Sequence, residues 1–341
     1  MKKIIDTFLY FNEIDLLKIR LEYLFDLVDL FIIVEHNQTF NGNRKEFNYE
    51  KHSSQIEKYK SKIIYKKFNN NFSSHEEIIN YLKSDRDNPI SSQIKYNLLK
   101  PDYYKKYDLN FSIESYQKDT VLYPLTNLSL KENDIIINGD VDEIPYRALI
   151  YDFKKMTFDK IYALPLNHHN YSFDLINYDL QPCNFVSSWK FMKKGRFQHY
   201  KWKSKHSDNM LFKKDISCGY HFSAISSGFI KDRLLQKINS FSHQELNNKF
   251  IINNIEKIIE SGIDILSGNQ LKQIELNDQN YFDTKMNKII NKYVEKFEFK
   301  KITIRPIFRK FYKIRLILII KKYFYKMIIS NFIKKLFIKS S

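Results

Sequence analysis

The sequence predicts an α/β protein built on a mostly parallel central sheet flanked by helices, and three observations carry that prediction. Short runs rich in β-branched residues, at 4–10, 30–34 and 134–138, alternate with stretches of helical periodicity. The 341 residues are 43% hydrophobic, enough to bury a large core. Gly and Pro number only seven each, which leaves no room for a Gly-rich phosphate loop or a flexible linker.

The elements follow in order. Residues 4–10 read as a first strand, Asn12 as a helix N-cap, and Leu17, Leu21, Leu24 and Val28 as one apolar helix face. Residues 30–34 form a second buried strand closed by the polar run 35–39. A helix near 51–59 precedes a third strand at 63–65. Residues 66–110 are polar and rich in Asn, Ser and Lys, and read as a helix-and-loop insertion. A helix covers 113–122, and 134–138 is the clearest buried strand. It runs into Gly139-Asp140-Val141-Asp142-Glu143-Ile144-Pro145. Further strands are expected at 161–166 and 218–223, separated by a stretch rich in Trp, Tyr, His and Lys, with helices at 230–238 and 245–261.

Composition excludes several classes. Cys183 and Cys218 stand 35 residues apart without a CxxC pair, so a disulfide scaffold and a structural zinc site are not expected. Asp6 and Glu13 interrupt what would be the apolar part of a secretory signal. No window reaches the ~18 uncharged apolar residues needed to span a bilayer unaided. The formal charge of +17 suggests nucleic acid or an anionic surface, but 302–341 holds eleven Lys or Arg and no acid, leaving +6 for the rest. The chain thus divides into a domain over 1–301 and a basic helical tail over 302–341.

Asp140 and Asp142 alternate across a residue facing the other way, so both carboxylates can reach one side of a strand end. Hard oxygen ligands suit Mg²⁺ or Mn²⁺, which bind phosphates in turn. The motif alone is common on surface turns. More blocks surround it: Phe11-Asn12-Glu13-Ile14-Asp15-Leu16-Leu17-Lys18-Ile19-Arg20, Phe31-Ile32-Ile33-Val34-Glu35, Gly219-Tyr220-His221-Phe222-Ser223, and Lys237-Ile238 followed by Ser240-Phe241-Ser242-His243. With Asp140-Val141-Asp142-Glu143-Ile144-Pro145 they resemble, in order over residues 4–250, the signature blocks of glycosyltransferase family 17, the β-1,4-mannosyl-glycoprotein 4-β-N-acetylglucosaminyltransferases. Tyr220 stands where the family usually has Trp, and Gln117-Lys118-Asp119 replaces a QRD-like triplet; both departures point to altered acceptor or phosphate contacts.

The resemblance implies a GT-A-like nucleotide-sugar transferase fold and an inverting, metal-dependent transfer, with UDP-GlcNAc as donor and a glycan as acceptor. It implies Mn²⁺ or Mg²⁺ held by Asp142 with Asp140, and His221 as a further ligand. Glu143 is either a supporting carboxylate or a helix N-terminal acid. Thr7, Phe11, Asn12, Glu13 and Glu35 fall where the base and ribose of the donor are received, and Lys237 is a candidate partner for the diphosphate. Bland alternatives stand beside these: a core histidine for His221, a solvated lysine for Lys237, a helix-edge ion pair for Glu13 and Arg20. An inverting transfer needs a base. Asp174, Asp208, Asp232 and Glu245 are candidates, with Glu245 preferred. Tyr171, Trp189, Tyr200 and Trp202 either stack on acceptor sugars or belong to the core.

The tail mixes cations with Ile, Leu, Phe and Tyr, which suits helices lying on an anionic leaflet at ~1 kcal/mol per basic residue; helices packed on the domain are the alternative. The former implies a cytoplasmic enzyme peripheral to the inner membrane face. Two rival functions use the same residues differently: a metal-dependent phosphohydrolase, and a non-enzymatic basic module binding nucleic acid or membrane. The modest charge of the body and the lack of a recognition motif count against nucleic acid.

Overall fold

The computed structural model describes residues 2–100, 108–204, 216–225, 229–297, 302–305 and 309–322. In chain order the elements are β1 (Ile4–Leu9), α1 (Ile14–Leu24), β2 (Leu30–His36), α2 (Tyr49–His52), a 3-10 segment (Ser53–Lys62), β3 (Ile63–Phe68), α3 (His75–Ser84) and α4 (Pro89–Leu99). Next come α5 (Leu109–Asp119), α6 (Leu122–Thr126), β4 (Ile135–Asp140), β5 (Glu143–Pro145), α7 (Arg147–Lys155), β6 (Tyr162–Asn170) and β7 (Leu175–Ser188). The last are α8 (Trp189–Met192), α9 (Phe197–Ser204), β8 (Gly219–Ser223), α10 (Ile230–Ile238), a 3-10 turn (Gln244–Leu246), α11 (Lys249–Glu260), β9 (Leu271–Gln273) and α12 (Thr284–Phe297). Residues 309–322 are helical as well.

The strands form one sheet in the order β3-β2-β1-β4-β7-β6-β8-β5, with β9 beside β7. β3, β2, β1 and β4 run parallel, as do β6 and β8. β7 is antiparallel to β4, β6 and β9, and β5 to β8. The sheet is therefore mixed, a correction to the mostly parallel one expected. The expectation missed β7, whose middle residues Tyr178 and Asp179 are exposed and break the apolar pattern. Because β1, β2 and β4 are parallel, their carboxyl ends share one edge, where open α/β sheets receive ligands.

Alternation along the strands divides the core. Ile4, Phe8, Phe31, Ile33, Ile135 and Ile137 face α1, α7 and α12. Ile5, Ile32, Val34 and Ile136 face α3, α4, α5 and α6. Ile78, Ile79, Leu82, Ile94 and Leu98 are all buried on that second face, so the described part of 66–110 is one layer of the domain rather than an insertion. A third cluster joins Leu234 and Ile238 of α10 to Ile251, Ile255, Ile258 and Ile259 of α11, and adds Ile302, Tyr312 and Leu316. The described part of the tail thus packs on α11, and Arg305 N donates to Glu260 O at 2.5 Å. Its second expected helix lies outside the described residues. Among the described residues no helix is long and apolar enough to cross a membrane.

Candidate active site

The site begins at the end of β4. Gly139 there admits no side chain: a Cβ would lie 1.8 Å from Asn184 Oδ1 and 2.8 Å from Glu143 Oε2. Asp140 N donates to Glu143 Oε2 at 2.8 Å, closing the tight Asp140–Glu143 turn. Arg20 of α1 reaches under this turn, wholly buried. Its guanidinium donates to both Asp6 carboxylate oxygens at 2.8 and 2.6 Å, and to the carbonyls of Asp140 (2.9 Å), Val141 (3.3 Å) and Glu143 (2.6 Å). The helix-edge pairing of Arg20 with Glu13 is not formed; Glu13 instead meets Arg233 of α10 at 2.6 Å.

Two ammonium groups converge on Asp140. Lys201 Nζ of α9 lies 2.7 Å from Asp140 Oδ2 and 2.5 Å from Glu143 Oε1, and Lys118 Nζ of α5 lies 3.4 Å from Asp140 Oδ2. Burial works to raise the Asp140 carboxyl, but Lys118 and Lys201 outweigh it and hold it well below the usual range. Burial likewise opposes the Lys201 charge, and Asp140 and Glu143 overcome it, keeping that group protonated. Lys118 and its neighbour Asp119 belong to the triplet that departs from the family pattern. Asp119 accepts from Arg196 N and Phe197 N, both at 3.0 Å, and so anchors the first turn of α9. The departure from QRD therefore reaches the carboxylates directly, through Lys118.

Asp142 points at His221, with Oδ2 3.5 Å from Nε2. Burial opposes its charge, yet the imidazole outweighs it and the carboxyl falls to about 2. The other ring nitrogen of His221, Nδ1, lies 3.6 Å from Cys183 Sγ, and His168 stacks on the ring with centroids 4.5 Å apart. Lys237 donates to Ser223 Oγ at 2.9 Å, and its charge also lowers Asp142. Asp140, Asp142, His221 and Lys237 thus gather at one end of the sheet. Asp142 and the His221 imidazole suit a divalent ion, and the 3.5 Å between them can be spanned by bonds of ~2.1 Å. Among the described residues the three ligand atoms that lie within 4.8 Å of one another belong to Glu143, Cys183 and His221, and Asp140 is engaged by Lys118 and Lys201.

Other expected residues have different surroundings. Thr7 is buried within the sheet, donating to Ile137 O at 3.1 Å and accepting from Asn138 Nδ2 at 3.0 Å. Glu35 is buried and accepts from Lys45 Nζ, Asn48 N, Tyr49 N and Tyr65 OH, so its oxygens hold the 45–49 turn. Asn12 does not cap α1; its Oδ1 accepts from Arg233. The Phe11 ring carries Lys45 Nζ 5.3 Å from its centre. Glu245 is buried, with Oε1 2.8 Å from His243 Nδ1. Asp174 accepts from Ser172 and from Gln273 Nε2 at 3.1 Å, tying β7 to β9, and Asp232 is exposed on α10. Tyr171 and Trp189 are core, Tyr200 packs on it, and Tyr220 is buried with its hydroxyl against Asp283, so that departure changes the core and not an acceptor contact. Asp208 and the Trp202 side chain lie outside the described residues.

The model of glycosyltransferase family 17 matches residues 1–88 and 79–294, which take in every strand and nearly all of α12. The chain belongs to glycosyltransferase family 17. No curated protein matches it. Membership of family 17 makes the protein a glycosyltransferase, working with a nucleotide-sugar donor and a glycan acceptor; residues 302–341 lie beyond the matched stretch. Within this family-17 chain, sequence reading missed Arg20 as the support of the Asp140 turn, and missed Lys118, Lys201 and Cys183. The triplet Gln117-Lys118-Asp119 was the available signal. Lys201 and Cys183 carried none, since only the sheet order brings β7 and α9 beside β4.

Proposed function

We propose that this glycosyltransferase is a divalent-metal-dependent, inverting enzyme of GT-A type that moves N-acetylglucosamine from UDP-GlcNAc to a glycan acceptor. The observation that carries it is Asp142 facing His221 of β8 just past the carboxyl end of β4, beside an Asp140 engaged by Lys118 and Lys201 and with the Lys237 charge acting on Asp142. Expelling a diphosphate from a sugar C1 builds negative charge on the leaving group. Asp142, His221 and Asp140 would hold Mn²⁺ or Mg²⁺, which supplies Lewis-acid stabilisation of that charge. Lys237 stands where an ammonium adds to it. Thr7, bonded within the sheet, supports the floor of the site, and Phe11, Asn12 and Glu13 line the loop that follows β1 beside Arg233.

For the base, Glu245 acts through His243. Its buried carboxylate bonds His243 Nδ1, while the imidazole is partly exposed, so the ring accepts the acceptor proton and the carboxylate orients it. Family membership favours transfer over the phosphohydrolase and nucleic-acid readings.

The test is turnover of UDP-GlcNAc with Mn²⁺. Asp142→Asn is expected to lower it by at least about 10²–10³-fold, the range for removing one strong electrostatic stabiliser, in a protein that circular dichroism shows still folded. Full turnover in that variant would reject the metal role. Thermal stabilisation by UDP-sugars and not GDP-sugars is expected, and the reverse order would reject the donor.

A further inference from the structure

We propose that the Nδ1 side of His221 is a thiolate-bearing cation site, formed by Glu143, Cys183 and His221, that takes a borderline-soft divalent ion of the Zn²⁺ class. Each of the three offers one ligand atom, and these atoms all lie within 4.8 Å of one another. A tetrahedral ion with bonds of about 2.3 Å to sulfur and about 2.0–2.1 Å to nitrogen separates those two atoms by about 3.6 Å. Cys183 Sγ and His221 Nδ1 stand 3.6 Å apart.

The strands build this arrangement. Glu143 of β5 is the cross-strand partner of His221 of β8, and His221 is the partner of His168 of β6. Along β6 and β7 the register steps from Leu164↔Asn184 to Pro165↔Pro182, so Cys183 is the extra residue of a β-bulge. A bulge re-aims a side chain that regular pleating would send elsewhere. Cys183 is buried, and Glu143 is fully so. Asp142, at Nε2, then orients the imidazole as the carboxylate of a carboxylate–histidine–metal relay. Stacking of His168 at an interplanar angle of 7° holds the ring plane.

Thiolate and imidazole ligands distinguish this site from an all-oxygen one, because they prefer Zn²⁺ or Co²⁺ to Mg²⁺. Lys201, 2.5 Å from Glu143 Oε1, is its built-in competitor. One imidazole serves one ion at a time, so occupancy on Nδ1 withdraws His221 from an ion at Asp142. Zn²⁺ is thereby expected to oppose Mn²⁺.

Cobalt titration of the reduced full-length protein, without any sugar donor, tests the site. A near-ultraviolet thiolate-to-cobalt band saturating at one equivalent is expected. Cys183→Ser removes it while Cys218→Ser keeps it, because Cys218 is not among the three clustered ligands. Asp142→Asn weakens cobalt binding about 10–100-fold, and Lys201→Met tightens it. No band in the folded wild-type protein, or a band that survives Cys183→Ser, overturns the proposal. Because the readout needs no donor, that failure leaves the transferase proposal standing on its own test.

Discussion

Arg20 shows how one side chain can set a site without facing it. Its guanidinium is buried and neutralised by Asp6, and its Nη1 donates to three carbonyls of the Asp140–Glu143 turn. Arg20→Leu leaves Asp6 charged and unpaired in the interior, a class of change that costs about 3–5 kcal/mol. Urea denaturation should show that loss, together with a fall in transfer in the fraction that stays folded; unaltered stability would reject the role. His36 offers a test by pH. Burial, with Lys45 adding, pushes its imidazole down to about 3, and Nε2 lies 2.9 Å from Thr120 Oγ1. The unfolded chain therefore takes up this proton first, so the contribution of neutral His36 is complete above about 6.5 and is lost as pH falls toward 3, at about 1.4 kcal/mol per pH unit. Stability of the wild-type protein should fall more steeply below about pH 6.5 than that of His36→Phe, and parallel curves would refute this. From sequence, Arg20 was visible as a residue but not as a support, since its partners lie 14 and 120–123 positions away.

Helices and strands deliver these groups, and α9 is the clearest example. Its first turn is anchored by Asp119, which also accepts from Asn97 Nδ2 at 2.9 Å. Its second turn presents Lys201 to Asp140 and Glu143. Asp119→Ala removes the anchor, a loss comparable to that of a helix cap at ~1–2 kcal/mol, and loosens Lys201. The expected result is a lower denaturation midpoint joined to slower transfer, whereas a stability loss with unchanged transfer would show that α9 does not position Lys201. Helices with an even apolar period, such as α1, α10 and α11, were legible from sequence because one buried stripe sufficed to place them. α3 and α4 were not recognised as a layer of the core, since their polar outer faces dominate the composition of 66–110. β7 was missed for a related reason: its exposed middle breaks the alternation, although its ends are buried on both faces.

At the scale of the whole molecule, the charge of +17 is concentrated in 302–341, and the described part of that tail is two-sided. Tyr312 and Leu316 are buried against α11, while Phe311, Ile314 and Leu318 stand about half exposed among Lys310, Lys313, Arg315, Lys321 and Lys322. An apolar stripe flanked by cations is the surface that the expected peripheral contact with an anionic leaflet would use. Replacing Ile314 and Leu318 together by Ser should abolish co-sedimentation with vesicles containing anionic lipid and leave the fold intact, because neither belongs to a core cluster. Undiminished binding in the Ile314/Leu318 variant would reject that surface. Sequence by itself determined the chain's family, the alternation of strands and helices, and the carboxylates at the end of β4, because these depend on local pattern and contiguous blocks. Only the tertiary structure decided that the sheet is mixed, that Arg20 supports the Asp140 turn, and that Lys201 and Cys183 meet the carboxylates and His221. Those contacts arise from the order of strands and one bulge in β7, which bring together residues tens of positions apart that no local periodicity relates.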